Sequence, residues 1–263
     1  MFAMPAKADV IKVVMVGSGN VAMQLAMLLN ISGNKIIQVI SRNKKTGRQL
    51  AKLCDCNFDS ELKNVNTEAD MCIIAVNDDS IAEVVSNMPL MKAAVVHTSG
   101  TIPMEVLKKK FKNCGVMYPL QSLTAHSGIF SELIFCVEAS GKKVMDSITG
   151  LLQNINCRYV KLNSAKREKL HLAAVIVNNF PNHLYSLAYD FLKQNKISFQ
   201  ILQPLIENTA LRIDSRNPKS LQTGPAVRGD LKTIKRHLQL LKNNTDIADV
   251  YKTMTKSIQK SRK

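Results

Sequence analysis

Over the first 160 or so residues, short apolar runs alternate with stretches of helical period. Residues 10–16 form a run of the kind that makes a buried strand, and residues 17–29 then place apolar side chains at three- and four-residue intervals, which predicts a helix. Residues 36–40 predict a second strand and 44–53 a second helix. Residues 71–76, 93–97 and 115–117 predict three further strands. Two more are expected at 133–138 and 158–161, with a helix at 142–154 between them. Strands alternating with helices imply an α/β fold, a mostly parallel sheet of the dinucleotide-binding type covered by helices on both faces. From Ser164 onward only helical periodicity remains, with helices expected at 169–193, 198–212, 230–241 and 245–257. The change of pattern divides the chain into an α/β domain at 1–160 and an all-helical domain at 161–263.

Composition narrows the class. No apolar run approaches the ~18 residues needed to cross a membrane. The start, Met1-Phe2-Ala3-Met4-Pro5, lacks the charge, apolar stretch and cleavage site of a secretory signal, so a cytoplasmic protein is expected. The six cysteines are scattered and read as core thiols. Cys54-Asp55-Cys56 has no second Cys or His pair to complete a zinc site, so no metal is expected. The formal net charge is +16. It is spread along the chain up to the tail at 256–263, and neither a recognition motif nor aromatic–basic interleaving points to nucleic acid. Solvated surface and an anionic cofactor account for it.

The strongest local signal is Val16-Gly17-Ser18-Gly19-Asn20-Val21-Ala22, a G-x-G-x-x-A turn between a predicted strand and a predicted helix. Gly17 permits the tight turn, Gly19 lets backbone amides approach a pyrophosphate, and Ala22 is small enough for close helix–strand packing. The second strand ends in Ser41-Arg42-Asn43, where NAD enzymes place an acid for the ribose 2′-hydroxyl. These side chains suit a 2′-phosphate instead, so NADP(H) is the expected cofactor. Ala75-Val76-Asn77-Asp78 ends the next strand, facing the cofactor's central sugars, and Asp78 or Asp79 is expected to cap the following helix.

Two further strand ends carry polar groups, His97 with Ser99 and Tyr118 with Gln121. Ligands bind outside the carboxyl ends of such strands, so these four are candidate substrate residues. On the first helix of the second half, at about 100° per residue, Asn178, Asn182, Tyr185 and Tyr189 fall within roughly 40° of His171. Such a polar stripe among apolar neighbours needs partners or a ligand, and Pro181 should kink the helix. Thr223-Gly224-Pro225-Ala226-Val227-Arg228-Gly229-Asp230 is a compact loop in which Thr223 and Arg228 could hold an anionic substrate group and Asp230 could cap a helix.

Five motifs, GSGNVA at 17–22, HTSG at 97–100, YPLQS at 118–122, HLAAVIVNNFPNHL at 171–184 and TGPAVRGD at 223–230, span nearly the whole chain. Together they resemble the bacterial family that joins a Rossmann-like NADP oxidoreductase domain to a C-terminal helical domain of unknown function. The domain pair is similar to pyrroline-5-carboxylate reductase, ketopantoate reductase and prephenate dehydrogenase. A Tyr stands where the prephenate dehydrogenases carry a His in their corresponding segment. The Lys–Asn pair of the β-hydroxyacid dehydrogenases is not matched, since Ala173 lies four residues after Lys169. The resulting expectation is an NADP(H)-dependent oxidoreductase acting on a small carbonyl or imine compound in a cleft between its domains. His171 would be the proton donor, Asn178 and Asn182 would orient the substrate, and the helical domain would form a homodimer. The alternative is an NADP(H)-binding regulatory or sensor protein without turnover, a reading that the missing Lys–Asn pair favours.

Overall fold

The computed structural model describes residues 10–123, 133–213 and 217–261. The start Met1–Pro5 and the last two residues of the basic tail, Arg262 and Lys263, lie outside them. The described chain groups into two compact units, Met1–Asn179 and Phe180–Lys263.

The first unit is built on an eight-stranded sheet of order β3-β2-β1-β4-β5-β6-β7-β8. The strands are β1 (Lys12–Val16), β2 (Lys35–Ile40), β3 (Asn57–Asp59), β4 (Met71–Ile74), β5 (Ala94–His97), β6 (Cys114–Pro119), β7 (Ile134–Ala139) and β8 (Arg158–Lys161). The helices are α1 (Asn20–Ile31), α2 (Lys44–Leu53), α3 (Ile81–Asn87), the short α4 (Glu105–Lys108), α5 (Lys142–Asn154) and α6 (Ser164–Ala174). Side chains of β1 alternate between two cores. Val13 and Met15 pack with Leu25 and Leu29 of α1, Leu50 of α2 and Leu152 of α5. Val14 and Val16 pack with Ile81 and Val85 of α3 and with Phe111. Burial on both faces is why these strands read as unbroken apolar runs rather than alternating ones.

All neighbouring strands are parallel except β6 and β7, where Val116 pairs with Glu138 and Tyr118 with Cys136 in antiparallel register. The hydrophobic pattern of a strand is the same in either direction, so the reversal has no sequence signal. The edge strand β3 and the short helix α4 were not among the expected elements. The first is three residues long and partly polar, held through its pairing with Gln38–Ile40 of β2.

After α6 the chain makes one π-helical turn, Val175–Asn179, and then continues as α7 (Phe180–Gln194). A single long helix was expected here. Pro181 lacks the N–H that would bond Val177 in an α-helix, and the kink expected from it takes the form of this wider turn. The change of sequence pattern near residue 160 and the division of packing at 179 fall at different points because α6 packs with the sheet.

The second unit comprises α7, α8 (Gln203–Leu211), α9 (Pro225–Arg228), α10 (Leu231–Leu240) and α11 (Thr245–Lys260). Asp230 caps α10, accepting from Thr233 N at 3.0 Å and Thr233 Oγ1 at 2.7 Å. Among its described residues only Ala226, Leu241 and Ala248 are buried. Tyr189, Ile201, Leu205, Leu211 and Met254 stay exposed. An apolar cavity of about 560 Å³ opens among Leu184, Phe191, Leu240, Val250 and Met254. Among the described residues no helix of either unit is long and apolar enough to cross a membrane.

Candidate active site

Parallel strands β1 and β4 are neighbours although they are not consecutive in the chain, and ligands of such sheets bind at this reversal of strand order. Gly17 leaves β1 with φ +117°, and a Cβ there would lie 2.1 Å from the Ala75 carbonyl oxygen at the end of β4. Only glycine meets both demands. Two residues on, Gly19 begins α1 with no side-chain cap and open space where a Cβ would be. The first amides of a twelve-residue helix therefore lack an internal acceptor, as an anion site at a helix N-terminus requires.

These groups line a cavity of about 450 Å³, within the usual range for a bound small molecule. Gly17, Ser18, Gly19, Asn20, Ser41, Arg42, Asn43, Ala75, Val76 and Asn77, all expected from the sequence, lie in its wall. Two expected residues do not. Val21 packs against the sheet core, and the Asp78 carboxylate accepts the Thr101 hydroxyl at 2.5 Å. Neither Asp78 nor Asp79 caps the next helix, whose start has no side-chain cap. Thr46, Ser60, Leu62, Glu83 and Val84, missed in the sequence, also lie in the wall.

At the β2 end, Ser18 Oγ lies 2.7 Å from Ser41 Oγ and 2.6 Å from Thr46 Oγ1. Asn43 is the N-cap of α2, its side-chain oxygen taking Lys45 N at 3.1 Å and Thr46 N at 3.2 Å. Arg42 reaches across the cavity, donating to Ser80 Oγ at 3.1 Å and lying 3.8 Å from Glu83 Oε2. Both charged side chains are well exposed, so this ion pair is weak and easily exchanged. A 2′-phosphate would offer Arg42 a closer, doubly charged acceptor. Replacing Arg42 by Ala is expected to weaken NADPH binding by ~1.5–3 kcal/mol, the range for a hydrogen bond to a charged group. NADH affinity should barely move. Titration of both cofactors checks this, and equal losses would mean that Arg42 does not read the phosphate.

The ends of β5 and β6 carry a second group. His97 is fully buried, and Ser99 N donates to its Nδ1 at 3.2 Å, which leaves the ring proton on Nε2. Ser99 Oγ in turn accepts from Thr101 N and Ile102 N. His97 is thus the buttress of the loop that follows β5 and does not reach the cavity described next. Burial, and then the charge of Arg167, push its pKa from 6.5 down to about 4. Its neutral form therefore supports the fold fully above about pH 6.5, and that support is lost as pH falls toward 4. At about 1.4 kcal/mol per unit, His97 should account for ~3 kcal/mol of acid destabilisation across this window. Urea unfolding at pH 7 and pH 4 should show a smaller drop in His97→Asn than in the parent. An equal drop would remove His97 as the cause.

Arg167 itself went unnoticed in the sequence. It is completely buried, donating to Glu138 Oε2 at 2.6 Å and to the Ile102 carbonyl at 2.5 Å. Ser164 Oγ donates to the same Glu138 oxygen at 2.7 Å. This pins the first turns of α6 against β7.

One turn later on α6, His171 Nδ1 lies 2.9 Å from the Tyr118 hydroxyl, ring edge to ring face. Burial raises the Tyr118 pKa, which keeps the phenol protonated. Gly100 makes the room, since a Cβ there would stand 2.6 Å from His171 Nδ1 and 3.0 Å from Tyr118 Cζ. Both rings face a cavity of about 540 Å³ together with Gln121, Ser122, Asn178 and Asn179. Asn178 Nδ2 donates to Ser122 Oγ, tying the π turn to the chain after β6. So Tyr118, Gln121, His171 and Asn178 of the expected residues share one cavity, while Ser99 sits behind it. Asn182, Thr223 and Arg228 belong to the second unit. The expected stripe does not extend to Asn182, Tyr185 and Tyr189 at a constant 100°, because the π turn changes the phase after Ala174.

Residues 12–99 match the family described as NADP oxidoreductase coenzyme F420-dependent, and residues 133–258 match a domain of unknown function, DUF2520. Among solved structures, a candidate NADP oxidoreductase from Bacteroides fragilis is 33% identical with a TM-score of 0.89, over 95% of this chain and 98% of that one. An imine reductase from Myxococcus stipitatus, in complex with NADP+, is 12% identical with a TM-score of 0.65, over 95% and 93% of the two chains. A pyrroline-5-carboxylate reductase from Coxiella burnetii is 12% identical with a TM-score of 0.60, over 95% and 99%. The last two share the fold. No curated protein matches the chain.

Proposed function

As this chain belongs to the family that joins an NADP oxidoreductase domain to DUF2520, and is by that membership an NADP-dependent oxidoreductase, we propose that it reduces a small carbonyl or imine compound, or oxidises the product. The observation that carries this reading is the Tyr118–His171 pair, held beside a cavity near the carboxyl ends of the strands.

NADPH, when bound, supplies a hydride. Gly17 and Gly19 would let it approach the uncapped start of α1, and Ser18, Ser41 and Arg42 would hold its 2′-phosphate. His171 in its protonated form donates Nδ1–H to the Tyr118 oxygen and keeps Nε2–H for the substrate. That proton would go to the substrate's oxygen or nitrogen, leaving His171 neutral. Tyr118 fixes the ring, and Asn178 holds the cavity wall in place through Ser122.

Protein loaded with NADPH and mixed with a panel of ketones, keto acids and imines tests this, by single-turnover loss of the reduced-nicotinamide absorbance. Turnover that vanishes in His171→Ala supports the reading. Tight NADPH binding with no oxidation across the panel would favour a sensor without turnover.

The exposed apolar side chains of the second unit suggest a homodimer. A body of this size with three buried apolar residues among those described has little core of its own. Sedimentation at micromolar concentration should give twice the chain mass, and a monomer would remove the claim.

A further inference from the structure

The cavity beside Tyr118 and His171 has a chemical character that the reductase reading does not specify. Its described lining contains no Lys, Arg, Asp or Glu. Its polar members are the uncharged Tyr118, Gln121, Ser122, Asn178 and Asn179, with His171, and the remainder is Leu, Ala and Val. Two pairs satisfy each other, Tyr118 with His171 and Asn178 with Ser122. Among the described residues no hydrogen bond holds the side-chain amides of Gln121 or Asn179. In a regular α-helix Asn179 would sit about 80° around the axis from His171, away from its face. The π turn is wider by one residue per turn and returns Asn179 to the wall that His171 lines.

We propose that this cavity selects an uncharged carbonyl or imine compound with an apolar body and a second, neutral hydrogen-bonding group, which the Asn179 side-chain amide holds. The assignment rests on the reductase reading of the same site. A carboxylate in that position would find no fixed cation in the described lining. A carboxamide side chain both donates and accepts, so it pairs with an amide or hydroxyl and offers an anion only two weak donors. His171 is the one lining group able to carry positive charge, and its proton leaves with turnover.

Two probes of one shape separate the possibilities, 4-oxocyclohexanecarboxamide and 4-oxocyclohexanecarboxylate, with cyclohexanone as the parent ketone. NADPH consumption is followed with the full-length protein and with Asn179→Ala. The carboxamide is expected to exceed the carboxylate in kcat/KM by at least about tenfold. In Asn179→Ala the KM for the carboxamide should rise about three- to tenfold. The rise for cyclohexanone should be smaller, and the affinity for NADPH should be unchanged, which shows that the variant is folded. A preference for the carboxylate overturns the substrate class and leaves the reductase reading intact. An unchanged carboxamide KM in Asn179→Ala overturns the role of that residue. Consumption with none of the three, by protein that binds NADPH, overturns the substrate class together with the reductase reading beneath it.

Discussion

Gly100→Ala is expected to leave NADPH affinity nearly intact and to cut turnover about 10²–10⁴-fold, the usual contribution of a positioned acid or base. The new methyl group would stand 2.6 Å from His171 Nδ1 and 2.8 Å from Cγ, closer than packed atoms come. The imidazole must swing away, and its 2.9 Å bond to Tyr118 breaks. Relief on the other side is limited, because the methyl also comes within 3.0 Å of Tyr118 Cζ. Overpacking of this kind costs about 1–3 kcal/mol of stability, so activity must be normalised to folded protein. Single-turnover oxidation of bound NADPH, beside a cofactor titration, makes the comparison. Turnover that survives the substitution would show that the pair takes no part in proton transfer, whatever holds it together.

Removing the carboxylate of Glu138 should be the most damaging single change to stability. Glu138→Ala leaves the guanidinium of Arg167 buried with its partner at 2.6 Å gone, and such an unpaired charge costs about 3–5 kcal/mol. The bond from Ser164 Oγ is lost as well. Replacing both partners by Met should recover most of the loss, since a buried ion pair contributes little beyond a well-packed apolar one. Urea unfolding of the single and double variants gives the two numbers. A Glu138→Ala loss below about 1 kcal/mol would mean that water reaches Arg167 and the pair is not truly desolvated.

The sheet and the cofactor cavity were legible because each rests on local pattern. Apolar runs mark strands buried on both faces, and Gly17 and Gly19 stand between a strand and a helix where no other spacing would serve. The absence of an acid at residues 41–43 is equally local. What escaped depends on distant partners. Lys166-Arg167-Glu168-Lys169 reads as a solvated helix face, and the burial of Arg167 follows only from Glu138, which lies 29 residues earlier on a strand whose direction has no sequence signal. Asn179 escaped for a related reason. Helical phase can be carried along a sequence only while the turn is regular, and Pro181 announces an irregularity without saying which kind or where it is absorbed. His97 was read as a ligand because it ends a strand. The Ser99 amide that occupies it instead belongs to a turn geometry that two-residue spacing alone does not distinguish.

The bare start of α1 has a consequence for how sequences of this kind can drift. At Gly19 the backbone sits at φ −76°, which any amino acid adopts, and a side chain would meet nothing within 4 Å. Folding alone therefore does not ask for glycine there. A serine or aspartate would fit the apoprotein and could bond the free amides of the helix, adding a few tenths of a kcal/mol over glycine. It would do so by filling the place of the pyrophosphate. Selection for a sturdier fold and selection for the nucleotide thus pull this position in opposite directions. Gly17, wedged against the Ala75 carbonyl, is under no such conflict, because folding and binding demand the same residue. In descendants that abandon the cofactor, Gly19 is the first of the two to be released.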